Sequence, residues 1–359
     1  MEKQKNLLGF SLKSLEDFFK SINEPSFRAK QLLKWIHQKG VLDFNEMTDF
    51  NKDLRSKLSK IATIRPPIIE ESHVSPEGTK KYLIKLASGT MVEMVRIPEK
   101  KRATLCISSQ AGCALQCTFC ATGAQGFEKN LTSDEIIGQL WLANFGDNNE
   151  VQITNVVFMG MGEPLLNFEP VIESALIMKD QMGYSLSRKR ITISTSGIVP
   201  YIDKLPQNID ASLAISLHAP NNELRDEIVP INKKYPIEKL IQSCKSFVSY
   251  YDGKRNITIE YILIDGVNDS KKLALELSKL LNGLSCKINL IPFNPFDGCD
   301  YKRSNSKNIN IFKDILVKKG FITTLRVTRG DAIDGACGQL VGKLKRSIKG
   351  KNLIEHKAI

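Results

Sequence analysis

From Arg102 onward, short apolar runs rich in β-branched residues alternate with longer segments of helical periodicity, and this alternation restricts the fold more than any other property of the chain. TLCIS precedes a helical pattern over Ser133 to Phe145, and NVVFMG precedes one over Phe168 to Met182. RITIST and SLAISL lead to Ile237 to Tyr250, NITIEYILI to Lys271 to Leu281, and KINLIPF to Ile309 to Lys319, with FITTLRV closing the series. Parallel strands need a crossover between them, and a helix is the usual one, so the alternation predicts an α/β protein built on a parallel sheet. With about six repeats, a partial (β/α)6 barrel fits better than a full eight.

The first hundred residues follow other rules. Leu12, Leu15, Phe18 and Phe19, then Leu32, Leu33, Trp35 and Ile36, recur at helical spacing, so residues 10 to 64 read as helices. Pro66 and Pro67 interrupt that pattern, and KKYLIKLASGTMVEMVRIPE alternates apolar and polar residues around Ser88-Gly89-Thr90 as a hairpin would. The predicted organisation is a helical module over 1–66, a β-hairpin extension over 67–101, the barrel core over 102–340 and a basic tail over 341–359.

Charge and cysteines narrow the function. The 359 residues hold 51 Lys plus Arg against 39 Asp plus Glu, a formal charge of +12. The last 19 residues alone carry six Lys or Arg and one Glu. Such a segment neutralises phosphates and gains counterion release, although a solvated C-terminus has the same composition. Hydrophobic residues make up 42% of the chain, which argues against disorder and against a small disulfide scaffold. No apolar run reaches the roughly 18 residues of a membrane span, and the start MEKQKNLLGF places charges where a signal peptide is apolar. The expected location is therefore the cytoplasm, without membrane attachment. In a reducing compartment the 8 cysteines point to metal binding, catalysis or burial rather than structural bridges.

Three of them stand together in Cys113-Ala-Leu-Gln-Cys117-Thr-Phe-Cys120, directly after TLCIS. A zinc site would recruit a fourth ligand, for which Cys106 is the candidate; a [4Fe-4S] cluster held by three cysteines keeps one iron open to chelate something else. The spacing C-x-x-x-C-x-x-C on the loop after the first barrel strand resembles that of radical S-adenosylmethionine enzymes. Met159-Gly160-Met161-Gly162-Glu163-Pro164, at the end of the second strand, could be a tight turn; beside the cysteine loop it resembles the superfamily's Gly-Glu segment that holds the amino group of S-adenosylmethionine. Ser194, Ser216-Leu217-His218 and Asn294 also fall at strand ends, where ligands of such barrels sit. Each alone could be an ordinary turn or core residue. Cys106, on the first strand, and Cys337, in RGDAIDGACGQL, could likewise be a buried strand residue and a small loop residue.

The ordered set SSQAGCALQCTFCATG, FMGMGEPLLN, ITISTSG, SLHAP, PIN, NLIPFNP and DGACGQL is similar to bacterial dual-specificity RNA methyltransferases of the RlmN type, from the helical module through Leu340. The last 19 residues lie outside that resemblance, and Ala332 stands where many members have a second acidic residue. GEPLLN and NLIPFNP look more like the branch that methylates adenine at C2 than the one that methylates C8. The resemblance implies one [4Fe-4S] cluster on Cys113, Cys117 and Cys120, and two S-adenosylmethionine molecules per turnover, bound by Gly162, Glu163, Ser194, Ser216, Leu217, His218 and Asn294. It also implies 23S rRNA and tRNA as substrates, an external electron donor of flavodoxin or ferredoxin type, and a monomer.

Adenine C2 is electron-poor and no nucleophile, so ordinary polar methyl transfer fails there. The resemblance implies a two-stage route in which Cys337 first takes a methyl group from one S-adenosylmethionine by displacement. A deoxyadenosyl radical from a second molecule then removes hydrogen from that methyl, and the carbon radical adds to C2. Glu93 removes the C2 proton, and Cys106 resolves the protein-RNA thioether by forming a disulfide with Cys337. The apolar neighbours of Glu93 in MVEMV are expected to raise its pKa by desolvation. No catalytic role is assigned to Cys244, Cys286 or Cys299.

Overall fold

The computed structural model describes residues 4–147, 151–326 and 329–342. Most of the basic tail, residues 343–359, lies outside them. Strand β1 (Lys5–Asn6) pairs in parallel with β2 (Ala62–Thr63), and between them run helices α1 (Leu12–Ser21), α2 (Arg28–His37) and α3 (Lys52–Ile61). The side chains of Ser11 and Asn51 accept from the third residue beyond them, at Ser14 and Leu54, and so cap α1 and α3. The apolar residues read at helical spacing are the ones buried: Leu15, Phe19, Leu32, Leu33 and Ile36 are fully covered.

Strands β3 (Ile68–Val74), β4 (Lys80–Lys85), β5 (Met91–Glu99) and β6 (Arg102–Cys106) follow as an antiparallel meander. The expected hairpin is β4–β5, turning at 86–90. It is the flank of the main sheet rather than an appendage, because β5 continues the ladder onto β6. Beyond β6 come β7 (Gln110–Gly112), α4 (Ala121–Gln125) and β8 (Phe127–Asn130), then α5 (Ser133–Phe145), β9 (Asn155–Phe158), α6 (Phe168–Lys179), β10 (Ile191–Thr195), α7 (Val199–Asn208) and β11 (Ser212–Ser216). The series ends with α8 (Asn222–Ile228), α9 (Ile237–Tyr250), β12 (Ile257–Leu263), α10 (Lys271–Leu280), β13 (Cys286–Pro292), α11 (Ser306–Lys318) and β14 (Thr323–Leu325). The main sheet runs β14-β13-β12-β11-β10-β9-β6-β5-β4-β3, parallel from β14 to β6 and antiparallel beyond. Six strand–helix units and a closing strand thus make the (β/α)6 core.

Alternation along the strands explains the curvature. Ile191 and Ile193, Leu213 and Ile215, Ile257 and Ile259, and Ile288 and Leu290 are buried on one face. Residues of the opposite strand face, Ser194, Ser216, Glu260, Ile262 and Ile291, line one cavity together with Arg326, just beyond β14. Laid flat, seven parallel strands would span about 29 Å. One cavity can touch residues from β9 through β14 only if the sheet curls around it.

The N-terminal module packs against α5 and α6. The Trp141 indole N–H donates to Ile36 O at 3.1 Å, and Ser11 N–H donates to Glu173 Oε1 at 2.8 Å. No helix among the described residues is long and apolar enough to cross a membrane.

Candidate active site

The curled sheet lines one cavity that opens to solvent at its mouth. Its floor is the loop after β6. Cys113, Cys117 and Cys120 all line it, although backbone contacts rather than the thiols hold the loop in shape. Cys113 N–H donates to Gly126 O at 2.9 Å, Thr118 N–H to Ile228 O at 3.2 Å, and Ala121 N–H to Gly338 O at 2.7 Å. Gly112, at φ +69, crosses under the loop so closely that a Cβ would overlap Gly126 O. Burial pushes the Cys113 thiol up to about 12 and raises Cys117 and Cys120 as well, with neighbouring cysteines adding to the effect at each. Three soft donors on one wall, costly to ionise unless a cation shares the site, suit an iron–sulfur cluster. Cys106, the conceivable fourth ligand of a zinc site, does not join them; it lines a second cavity on the other side of Met159 and Cys337. Among the described residues no three His, Cys, Asp or Glu side chains close on a single-ion site.

The Gly-Glu segment forms the next wall. Ser109 and Gln110 both donate their N–H to Met161 O, at 2.9 and 3.1 Å, and Met161 N–H donates to Ser108 Oγ at 2.9 Å. Gly162 takes φ +93 where a Cβ would overlap Gln110, and Glu163 N–H donates to Gln110 Oε1 at 2.8 Å. Asn167, the last residue of GEPLLN, donates to Ser109 O and Leu131 O. These two motifs therefore knit one platform. On it the Glu163 carboxylate accepts from Leu165 N–H at 3.0 Å and Ser196 N–H at 2.8 Å. Burial nevertheless lifts its pKa to about 7, the backbone donors opposing. A cationic group in the cavity would offset that penalty.

The strand-end residues divide. Ser194, Ser216 and His218 line the cavity. His218 has φ +63, accepts from Ile262 N–H on Nδ1 at 3.1 Å, and meets the edge of Phe119 from the cysteine loop, ring centroids 4.6 Å apart. Burial drops its pKa to about 3, so the ring is neutral and carries its proton on Nε2. Leu217 is fully buried outside the cavity lining; its N–H is taken by Glu260 O and its carbonyl accepts from Arg225 Nε at 3.0 Å. Asn294 faces the second cavity and donates to Cys337 O at 3.2 Å.

Cys337 lines both cavities and Cys106 the second. The loop over 329–342 that presents Cys337 is tied down at several points. Gly330 N–H donates to Glu77 Oε1 at 2.6 Å, Gln339 Nε2 to Pro295 O at 2.9 Å, and Thr122 Oγ1 to Leu340 O at 2.6 Å. Ala332 is exposed there. Burial pushes Cys106 up to about 12, and the nearby Cys337 adds to it. Glu93 is buried, but its surroundings differ from the apolar ones expected of MVEMV: Lys81 Nζ lies 3.1 Å from Oε1, and Val341 N–H donates to Oε2 at 2.7 Å. Alternation along β5 places residues by face and is silent about a cation from the neighbouring strand.

Three residues escaped the sequence reading. Arg326 lines both cavities together with Cys337; Cys337 raises its pKa most, burial opposes, and Glu260 and Cys106 add. A cation inside the strand-like run TTLRV was the available signal. Lys81 is the second. Arg225, the third, is fully buried and donates to Leu217 O, Ser196 O, Ser216 O and Asn232 Oδ1, clamping the ends of β10 and β11 to the PIN turn. Within NNELRDEI it reads as an ordinary exposed helix residue.

Comparison with known proteins adds the family. Residues 5–64 match the ribosomal RNA large subunit methyltransferase N-terminal domain, and residues 107–277 match the radical SAM superfamily. A dual-specificity RNA methyltransferase RlmN from Pseudomonas putida is 54% identical over 94% of this chain and 90% of its own length. Its counterpart from a Marinomonas species is 52% identical over 99% of both. The crystal structure of a radical SAM methyltransferase from Sphaerobacter thermophilus superposes with a TM-score of 0.88 at 39% identity, covering 94% of this chain and all of the other.

Proposed function

The chain belongs to the RlmN family of dual-specificity RNA methyltransferases, and from that premise we propose that it methylates C2 of adenosine in 23S rRNA and in tRNA, with Cys337 as methyl carrier. The observation that carries the proposal is the position of Cys337, which shares one cavity with Cys113, Cys117 and Cys120 and the other with Cys106. In this reading the three loop cysteines hold a [4Fe-4S] cluster. When bound, the cluster and S-adenosylmethionine supply the methyl group and one-electron chemistry at the cavity floor.

The chain's own residues do the rest. Glu163 receives the cofactor's ammonium, and Ser194, Ser216 and neutral His218 offer hydrogen bonds without adding charge. Arg326 sets a cation in the cavities lined by Cys337, whose sulfur accepts the first methyl. Glu93 takes the C2 proton from the RNA adduct as the adduct's unpaired electron passes to a one-electron acceptor, which leaves a closed-shell thioether. Cys106 then attacks the Cys337 sulfur; the bond from that sulfur to the RNA methylene breaks, its electron pair leaves with the methylene carbon, a proton completes the methyl group, and the disulfide so formed is reopened by an external reductant. A separate one-electron donor of flavodoxin or ferredoxin type, and action as a cytoplasmic monomer, complete the reading.

The test is nucleoside mass spectrometry after anaerobic incubation of cluster-loaded enzyme with protein-free 23S rRNA fragments and tRNA. The expected product is 2-methyladenosine from both. Only 8-methyladenosine would assign the chain to the C8 reaction, and an unmodified RNA pool with active S-adenosylmethionine cleavage would point to another substrate.

A further inference from the structure

Glu93 does not stand alone. It lies on β5 diagonally across from Lys81 on β4, because Lys81 pairs with Val95, two residues along the same face. Both side chains are buried, at 7% and 3% exposure, and Lys81 Nζ sits 3.1 Å from Glu93 Oε1. Each partner also holds one end of the segment that carries Cys337. Lys81 Nζ donates to Asp334 O at 3.4 Å, three residues before the cysteine, and Glu93 Oε2 accepts from Val341 N–H at 2.7 Å, four residues after it. A buried pair of this kind survives only if geometry and extra hydrogen bonds repay its desolvation, and here those extra bonds go to the methyl-carrier loop.

We propose that Lys81 is a positioning residue of the reaction: it aims the Glu93 carboxylate and couples it to the loop that places Cys337. The inference rests on the reading of Glu93 as the base and Cys337 as the carrier. Lys81 itself reaches no reacting atom. An ammonium at 3.1 Å from one oxygen and a backbone donor on the other fix the carboxylate plane. Without Lys81 the carboxylate would keep its tie to Val341 alone, and the segment from Asp334 would lose the side-chain donor that joins it to β4.

The experiment is an anaerobic single-turnover assay of full-length, cluster-loaded enzyme with an rRNA fragment, comparing wild type with Lys81→Met, Lys81→Arg, Lys81→Gln and Glu93→Gln. Three outputs are read: methyl on the Cys337 peptide, covalent RNA-protein adduct on a denaturing gel, and methyladenosine. Lys81→Met is expected to accumulate adduct and form methyladenosine at least tenfold more slowly, with methylation of Cys337 falling by much less than product formation. Lys81→Arg should restore at least half of the product. Wild-type product formation by Lys81→Met overturns the proposal. So does a parallel fall of all three outputs in Lys81→Met with normal chemistry in Lys81→Gln, which keeps a donor without the charge. If Lys81→Met does not fold, Lys81→Gln decides: adduct accumulation supports the proposal and wild-type turnover overturns it. The Glu93→Gln arm separates the two readings, since adduct accumulation there with a normal Lys81→Met removes only the role of Lys81, and normal turnover there removes the base itself.

Discussion

Glu163 makes the plainest demand of any residue on a ligand. A carboxyl raised from 4.5 to about 7 by burial represents about 3 kcal/mol of penalty on its charged form, and an ammonium in contact would recover much of it. The sign for binding follows. The raised group is protonated below pH 7, so a ligand that needs the carboxylate must expel a proton there and binds more weakly as pH falls. The apparent Kd for S-adenosylmethionine, measured by anaerobic equilibrium dialysis, is expected to rise about tenfold per pH unit below 7 and to level off above it. Glu163→Gln should bind weakly at every pH, without that slope. Arg326 carries a second expectation. Its guanidinium lines both cavities together with Cys337, so Arg326→Met should slow methyl transfer to Cys337 about tenfold, read by peptide mass spectrometry. Cys106→Ala should leave that first transfer intact and trap a covalent RNA-protein adduct, visible on a denaturing gel; release of methylated RNA at the normal rate would remove its resolving role.

At the scale of elements, the antiparallel pairing of β7 with β8 closes the base of the cysteine loop, and its close approach at Gly126 depends on Gly112. Gly112→Ala combines a positive φ with overlap against Gly126 O, strain on the order of 1–3 kcal/mol before relaxation. The variant should show reduced iron per chain after reconstitution and a lower Tm; an unchanged iron content would mean that the pairing does not govern the loop. The parallel strands were legible from their apolar runs, because strands covered by helices carry β-branched residues almost continuously. Helix α7 was not, since Pro200 and Pro206 break its pattern, and α8 is only seven residues long. The cavity residues were legible where they are polar at strand ends, as Ser194, Ser216 and His218 are. Leu217 and Asn294 share that position in sequence but meet other partners, Arg225 and Cys337, brought in by distant loops. Contacts of this kind, like the Lys81–Glu93 pair, depend on register between strands, which one strand's alternation does not encode.

For the whole molecule, the positive charge and the two cavities describe one task. An adenine must leave its stack to reach the interior of the curled sheet, and phosphate contacts have to hold the flanking nucleotides meanwhile. Residues 343–359 contribute six Lys or Arg, so their removal should weaken RNA binding and flatten the dependence of log Kd on log salt by up to about five, if each cation meets a phosphate. Titrations of an rRNA fragment between low and moderate salt check this. If Cys337 carries the methyl group to RNA, Cys337→Ala must separate cofactor cleavage from methylation, in an anaerobic turnover assay that measures 5'-deoxyadenosine and methyladenosine together. Continued 5'-deoxyadenosine formation with no methyladenosine is the expected result. Methyladenosine formed by the variant would contradict the account.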